Sequence, residues 1–240
     1  DLYMAEGLIR HLDQGHELRV VAPEDIANAI DKDVAAVMIT QVDYRTGRVH
    51  DMNAITAKAH GAGAVMIWDL AHSAGAIPVD MAASNAEFAV GCTYKYLNGG
   101  PGAPAFIYVR PDIVETIDPA LAGWLGHETP FAFDMDYRPG AGIERMRVGT
   151  PPVIQLAALA EALRIWDDVD MQDLRTASLR LSNLFITEVE AACPDLTLAS
   201  PRDATQRASQ VPLHLENGHA ALQAPVPRGA VGDARAPPII

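Results

Sequence analysis

Along the first hundred residues, short apolar runs alternate with stretches whose apolar residues recur at helical spacing. Leu2, Ala5, Leu8, Ile9 and Leu12 fall on one helix face behind Asp1 in the N-cap position, and Gly15 follows as a stop. Leu18-Arg19-Val20-Val21 predicts a short strand, and Pro23 opens a helix carrying Glu24 and Asp25 in its first turn. Val34 to Thr40 is a continuous apolar run, the pattern of a strand buried on both faces. A polar loop from Gln41 to His50 leads into a helix over 52–62, closed by Gly61-Ala62-Gly63. Val65 to Trp68, Phe88 to Cys92 and Ala105 to Val109 complete the strands, the last stopped by Pro111. This alternation predicts an α/β domain built on a doubly wound, mainly parallel sheet.

Residues 118–150 are rich in Gly, Pro and aromatics without periodicity, and so long a loop in a compact domain is usually functional. Pro151-Pro152 opens a helix to Trp166 that is apolar almost all round, predicting burial within the chain or in a subunit interface. A second long helix spans 171–192, with a stripe of Leu174, Ala177, Leu181, Leu184, Phe185 and Val189. Beyond Cys193 the pattern thins into short strands. The domain change falls near Trp166 to Asp173. Residues 1–168 then form a large domain, and 169–240 part of a smaller α+β domain. No repeats or low-complexity segments interrupt the chain.

Composition narrows the function. A length of 240 residues, 49% hydrophobic and 20% charged, suits a globular chain of one large domain or one and a half. The net charge of −13 argues against nucleic-acid or anionic-membrane partners, which need a basic face. No apolar stretch approaches the ~20 residues that span a bilayer. Cys92 and Cys193 are far apart and in no metal-ligand spacing, as expected of reduced thiols in a reducing compartment. The first residue is not methionine, so the lack of a leader carries little weight. His214-x-Glu216-x-x-His219 fits no helix-face zinc motif and reads as a polar loop.

The chemistry concentrates at two strand ends. Val65-Met66-Ile67-Trp68 stops abruptly at Asp69, with His72 three residues on. Phe88 to Cys92 leads into Thr93-Tyr94-Lys95 and the glycines Gly99, Gly100 and Gly102. Open α/β sheets bind ligands at the carboxyl ends of their strands. A carboxylate placed there needs a cation or several donors. A lysine among small and aromatic residues is suited to Schiff-base chemistry. A pyridoxal phosphate cofactor answers both needs, its aldehyde taking the lysine and its ring nitrogen the carboxylate. Taken singly, Asp69 is equally a loop cap, Lys95 a solvated side chain, His72 a backbone-satisfied loop residue and Tyr94 a core aromatic. Their joint placement favours the site.

The segments Asp69-Leu-Ala-His-Ser-Ala-Gly-Ala-Ile-Pro-Val-Asp80 and Thr93-Tyr-Lys-Tyr-Leu-Asn-Gly-Gly-Pro-Gly102 resemble the cofactor segments of fold-type I pyridoxal-phosphate enzymes of the class V aminotransferase group. Within that group the resemblance is to the kynureninase family. It extends to Asp1-Leu-Tyr-Met-Ala-Glu-Gly-Leu8, Tyr44-Arg-Thr-Gly47 with His50-Asp-Met52, Gly123-Trp-x-Gly-His127 and Gly149-Thr-x-Pro152. More weakly it reaches Arg228-Gly-x-x-Gly-Asp233.

The resemblance implies a PLP-dependent hydrolase that cleaves L-kynurenine, or 3-hydroxykynurenine, to an anthranilate and L-alanine. Such an enzyme acts in tryptophan catabolism and pyridine nucleotide biosynthesis, as a cytoplasmic homodimer. It assigns Lys95 and Tyr94 to catalysis, and Asp1, Asp69, His72, Tyr94, Lys95, Trp124 and Thr150 to cofactor binding, Trp124 and Thr150 from the neighbouring subunit. From pattern alone, Asp1 is a helix cap, Trp124 a buried tryptophan and Thr150 an N-cap. The resemblance also implies that both ends of the family's chain are missing, so that 240 residues by themselves are expected to be inactive. Gln223 to Arg228, with Pro225 and Pro227, departs from the helix the family has there. Alternatives are a cysteine desulfurase or selenocysteine lyase, which would prefer glutamine at His72 and a cysteine on a mobile loop, or a non-catalytic relative.

Overall fold

A computed structural model describes residues 1–216 of the chain. The alternation of strand and helix is realised as helix α1 (Leu2–Leu12), α2 (Ile26–Ala29), β1 (Ala36–Thr40), α3 (Met52–Ala62), β2 (Val65–Asp69), α4 (Met81–Ser84), β3 (Phe88–Cys92) and β4 (Ala105–Val109). A tail of α5 (Val153–Leu163), α6 (Met171–Ala192), β5 (Thr197–Leu198) and β6 (Leu213–His214) follows. The four long strands form one sheet in the order β1-β2-β3-β4, and β5 and β6 a separate antiparallel pair. β1, β2 and β3 run parallel and β4 antiparallel to β3, so the mainly parallel α/β sheet expected from the sequence is present.

Local signals account for the best-formed unit. Asp51 accepts the Ala54 N–H at 2.9 Å at the start of α3, and Gly63 closes the helix with φ of 83°. α3 lies over β2, where Ala59, Ala64, Met66, Trp68 and Ala89 form the centre of the core. The fully buried Trp68 donates its indole N–H to Thr56 Oγ1 at 3.0 Å, so the largest core side chain leaves no polar atom unpaired.

Where β2 and β3 begin, Glu87 sits 2.9 Å from His60 Nε2 and 3.6 Å from the Arg110 guanidinium, and accepts the Met66 N–H at 3.1 Å. Burial works to raise the Glu87 pKa, but the hydrogen bonds from His60 and Met66 outweigh it and hold the carboxyl below its ordinary value. A lowered folded-state pKa contributes stability that is full above the unfolded value and is lost as pH falls through the folded one. Glu87→Gln is therefore expected to destabilise the chain at pH 7, and the gap to the parent to shrink at pH 3. Urea midpoints at both pH values check this, and a gap that is constant with pH would contradict it.

Several expectations are corrected. Leu18 to Val21 forms no strand: among the described residues no neighbouring strand pairs with it, and Val20 stays exposed. The helix expected from Pro23 is a 3₁₀ turn, Pro23–Asp25, running into the single turn of α2. The helix after Pro152 ends at Leu163 and passes into a 3₁₀ turn, Arg164–Asp168. Among the described residues its apolar surface is left mostly uncovered, with Leu159 buried and Ile154 82% exposed.

The apolar stripe of α6 also points outward at Leu181, Leu184 and Phe185, while Ser182 and Ile186 face in. The inward face is organised by a fully buried arginine. Arg207 donates to the Pro201 and Arg202 carbonyls at 3.0 and 2.9 Å, and to Ser182 Oγ and Asn183 Oδ1. His214 lies in β6 rather than in a loop. His219, the 223–228 segment and the Arg228–Asp233 motif lie outside the described residues, as does most of the expected second domain beyond α6 and β6.

Candidate active site

Parallel pairing sets the site. Thr40 at the end of β1 is level with Asp69 at the end of β2, and Asp69 is level with Val90 in β3. The polar residues that follow the three strands therefore emerge along one sheet edge. Asp69 Oδ1 accepts the Ala71 N–H at 2.7 Å, which turns the chain and fixes the carboxylate. No hydrogen bond among the described residues engages its Oδ2. The turn continues through His72 to Gly75, whose φ is 84° and where a Cβ would lie 2.7 Å from the Tyr96 carbonyl oxygen. That close approach is open to glycine alone, and it presses the turn after β2 onto the segment carrying Lys95.

Lys95 Nζ lies 3.0 Å from His72 Nε2 and 3.5 Å from Nδ1, and 5.5 Å from the centre of the Tyr94 ring. The His72 imidazole has the Tyr44 ring on its face, centroids 6.3 Å apart and planes at 27°. Asp69, His72 and Lys95 are all partly buried, and Tyr94 is exposed. Gly99 N donates to the Thr93 carbonyl at 2.9 Å, and Thr93 Oγ1 to the Pro104 carbonyl, so the glycine turn folds back beneath Lys95 and feeds β4. Cys92 ends β3 with its thiol toward the Ala71 carbonyl at 3.7 Å, a tie that holds the Asp69–His72 turn from below.

The structure thus brings Asp69, His72, Tyr94 and Lys95 to neighbouring turns at one sheet edge, and adds Tyr44. The other expected ligands have surroundings of their own. Trp124 is 47% exposed, against the buried tryptophan that pattern suggested, and meets Phe131 edge-on at 5.7 Å. It lies beside Gly149, where a Cβ would be 3.7 Å from its Nε1. Trp124 and the Gly149-Thr150 segment are therefore neighbours. The N-cap of α5 is Pro152, not Thr150, whose side chain makes no cap. Asp1 is the N-cap residue of α1 without a side-chain cap bond.

Sequence reasoning passed over Arg145. It is buried and donates to the carbonyls of Gly140 (3.2 Å), Glu115 (2.8 Å) and Ile117 (3.0 Å), and pairs with the Glu115 carboxylate. This one side chain ties the loop bearing Trp124 and Gly149 to the end of the sheet domain. Among the described residues no three His, Cys, Asp or Glu side chains converge as metal ligands. No helix there is long and apolar enough to cross a membrane.

A parallel sheet with a carboxylate and a lysine at adjoining strand ends defines a class, and comparison places the chain in it. Residues 9–226 match the family Aminotransferase class-V, and the chain belongs to that family. Its relatives include the kynureninase of Pseudomonas fluorescens, 48% identical over all of this chain and 58% of that protein. The kynureninase of Burkholderia mallei (strain SAVP1) is 44% identical over the same shares. The chain spans a little under three-fifths of the length of these relatives. Among solved structures, the apo cysteine desulfurase from Thermococcus onnurineus NA1 superposes with a TM-score of 0.75 at 21% identity, covering 92% of this chain and 56% of that one. An alanine–glyoxylate aminotransferase from Nostoc sp. gives 0.65 at 19% identity, covering 85% and 53%. At such identities these structures speak for the fold alone.

Proposed function

We propose that this chain belongs to a pyridoxal-phosphate-dependent hydrolase that cleaves L-kynurenine, or its 3-hydroxy derivative, into the corresponding anthranilate and L-alanine. The observation that carries the reading is end-to-end similarity to kynureninases at 44–48% identity, in a chain that also brings Asp69, His72 and Lys95 to one sheet edge. The residues fit the cofactor. Lys95 Nζ is a primary amine at a strand end, and among the described residues one carboxylate oxygen of Asp69 is free of hydrogen bonds, as a protonated ring nitrogen requires.

Pyridoxal phosphate, when bound, supplies an electron sink that makes the substrate α-proton acidic and lets water at the side-chain ketone break the adjacent carbon–carbon bond. The chain supplies the rest. Asp69, pinned by the Ala71 N–H, holds positive charge at the ring nitrogen. Lys95 would hold the cofactor aldehyde and, as a free amine, would take the substrate α-proton at Nζ, with Tyr94 beside it as proton donor. His72 orients Nζ from 3.0 Å. Water is consumed, and both products leave with a full complement of protons.

Within this reading Trp124 and Thr150 reach the cofactor phosphate of a partner protomer in a homodimer. The outward apolar faces of α5 and the 121–137 loop support such a partner. Asp1 adds a further cofactor contact. Residues 1–168 form the large domain and 169–240 part of the small one. The location is cytoplasmic, in keeping with the free thiols Cys92 and Cys193. Neither cysteine lies on a loop beside the site, which sets the reading apart from a desulfurase.

The test is to supply L-kynurenine and pyridoxal phosphate to the protein at the full length of its relatives. Anthranilate fluorescence and alanine are expected to rise together in equal amounts. Release of sulfide or selenide from cysteine substrates instead, or no turnover of either, would sink the proposal.

A further inference from the structure

Three successive strand ends contribute one side chain each to a single contact chain. Tyr44 comes from the loop after β1, His72 from the turn after β2 and Lys95 from the segment after β3. His72 has the lysine amine at its edge, 3.0 Å from Nε2, and the Tyr44 ring on its face.

The loop that presents Tyr44 is fixed from several sides. Asp43 accepts the Arg45 N–H at 3.0 Å and the Thr46 hydroxyl at 2.7 Å, and its carbonyl accepts the Gly47 N–H at 2.7 Å. Val42 and Val49 pair across its base. From the far end of the chain, Ala208 N donates to the Gly47 carbonyl at 2.8 Å and Val49 N to the Gln206 carbonyl at 2.9 Å. Gly47 has φ of 68°, and a Cβ there would strike the Gln210 carbonyl oxygen at 2.8 Å. So tightly specified a turn nevertheless leaves the Tyr44 side chain 45% exposed at its tip. Burial of the ring gives little reason to hold it there. Its contact with His72 gives one.

We propose that Tyr44 is a positioning residue: its ring holds the imidazole plane of His72, and through it the line along which Lys95 Nζ meets the substrate. The proposal rests on the function given above and deepens it. An imidazole turns broadly about χ2. Loss of the ring from its face lets the imidazole plane shift, and with it the alignment of Nε2 on the amine at the end of the flexible lysine stem. A base displaced by a fraction of an ångström transfers protons more slowly with substrate binding little changed.

The test compares Tyr44→Phe, Tyr44→Ala, His72→Ala and the Tyr44→Ala/His72→Ala pair in the full-length protein. Tyr44→Phe keeps the ring and is expected to retain kcat within about twofold. Tyr44→Ala is expected to lower kcat roughly tenfold with KM nearly constant, and to add nothing once His72 is alanine. In the cofactor-free protein the His72 ring proton resonances are expected to move in Tyr44→Ala and stay in Tyr44→Phe, through loss or retention of the neighbouring ring current.

Losses that multiply in the double variant, or His72 resonances indifferent to Tyr44→Ala, would overturn the proposal. Should the parent turn over no kynurenine, the functional reading fails separately. The resonances then decide alone: a shift in Tyr44→Ala but not in Tyr44→Phe upholds the positioning contact, and no shift refutes it.

Discussion

Lys95→Ala is expected to lower kynurenine turnover by about three orders of magnitude or more, the largest effect of any single substitution in the chain. Lys95 has two duties in the account, holding the cofactor covalently and moving the α-proton, and alanine removes both at once. The neighbourhood in which it works remains: Asp69 is held by the Ala71 N–H and His72 by its own turn, and neither depends on Lys95 for its backbone. Pyridoxal phosphate should therefore still bind the variant through its ring nitrogen, more weakly, and thermal stability should change little because Lys95 is only partly buried. Steady-state kinetics beside a melting curve separate the two. A variant that keeps a tenth or more of parental turnover would remove Lys95 from the centre of the mechanism.

The largest effect on stability is expected at Arg145. Its side chain serves three carbonyls from two segments, at Gly140 and at Glu115 and Ile117, and pairs with the Glu115 carboxylate. Truncation to alanine leaves those acceptors without their donor, the Gly140 carbonyl in a buried setting and the others partly buried, and opens a void the size of a guanidinium. The guanidinium is buried but the carboxylate of its Glu115 partner is 61% exposed, so losing these bonds costs on the order of 2–3 kcal/mol. That corresponds to a fall in the thermal midpoint of roughly 10 °C for a chain of this size. Lysine keeps the charge but cannot fork to several carbonyls, so Arg145→Lys is expected to recover a minor part. Because Arg145 anchors the loop bearing Trp124 and Gly149, Arg145→Ala should also loosen that loop, seen as a red shift of tryptophan emission. A loss below about 1 kcal/mol would contradict this view of the loop.

Much of the sheet domain was legible because its signals are local. Asp51 and Gly63 mark the ends of α3, and the apolar runs of β1 to β4 match the strands to within two residues. Asp69 and Lys95 stood out because a charge ending an apolar run is chemically conspicuous. What escaped depends on distant partners. Leu18 to Val21 is apolar enough for a strand, but a strand needs a neighbour, and pattern does not supply one. The apolar surfaces of α5 and α6 were visible, but what faces them was not. Along α6 the inward side carries Ser182 beneath a buried Arg207 rather than the leucine stripe. Arg145 bonds mostly to backbone carbonyls, and Arg207 to two of them, which leave no trace in side-chain pattern. The Tyr44–His72 contact joins loops 28 residues apart, and neither loop alone announces it.

The central claim is that Lys95 carries the cofactor, and covalent trapping tests it most directly. The full-length protein is loaded with pyridoxal phosphate, reduced with borohydride, digested and mapped by mass spectrometry. The described chain offers Lys32, Lys58 and Lys95 as possible attachment points. The account predicts a pyridoxyl adduct on the peptide containing Lys95, in stoichiometric yield and absent from Lys95→Ala. An adduct on another lysine, or none on a protein that still turns over kynurenine, would contradict it.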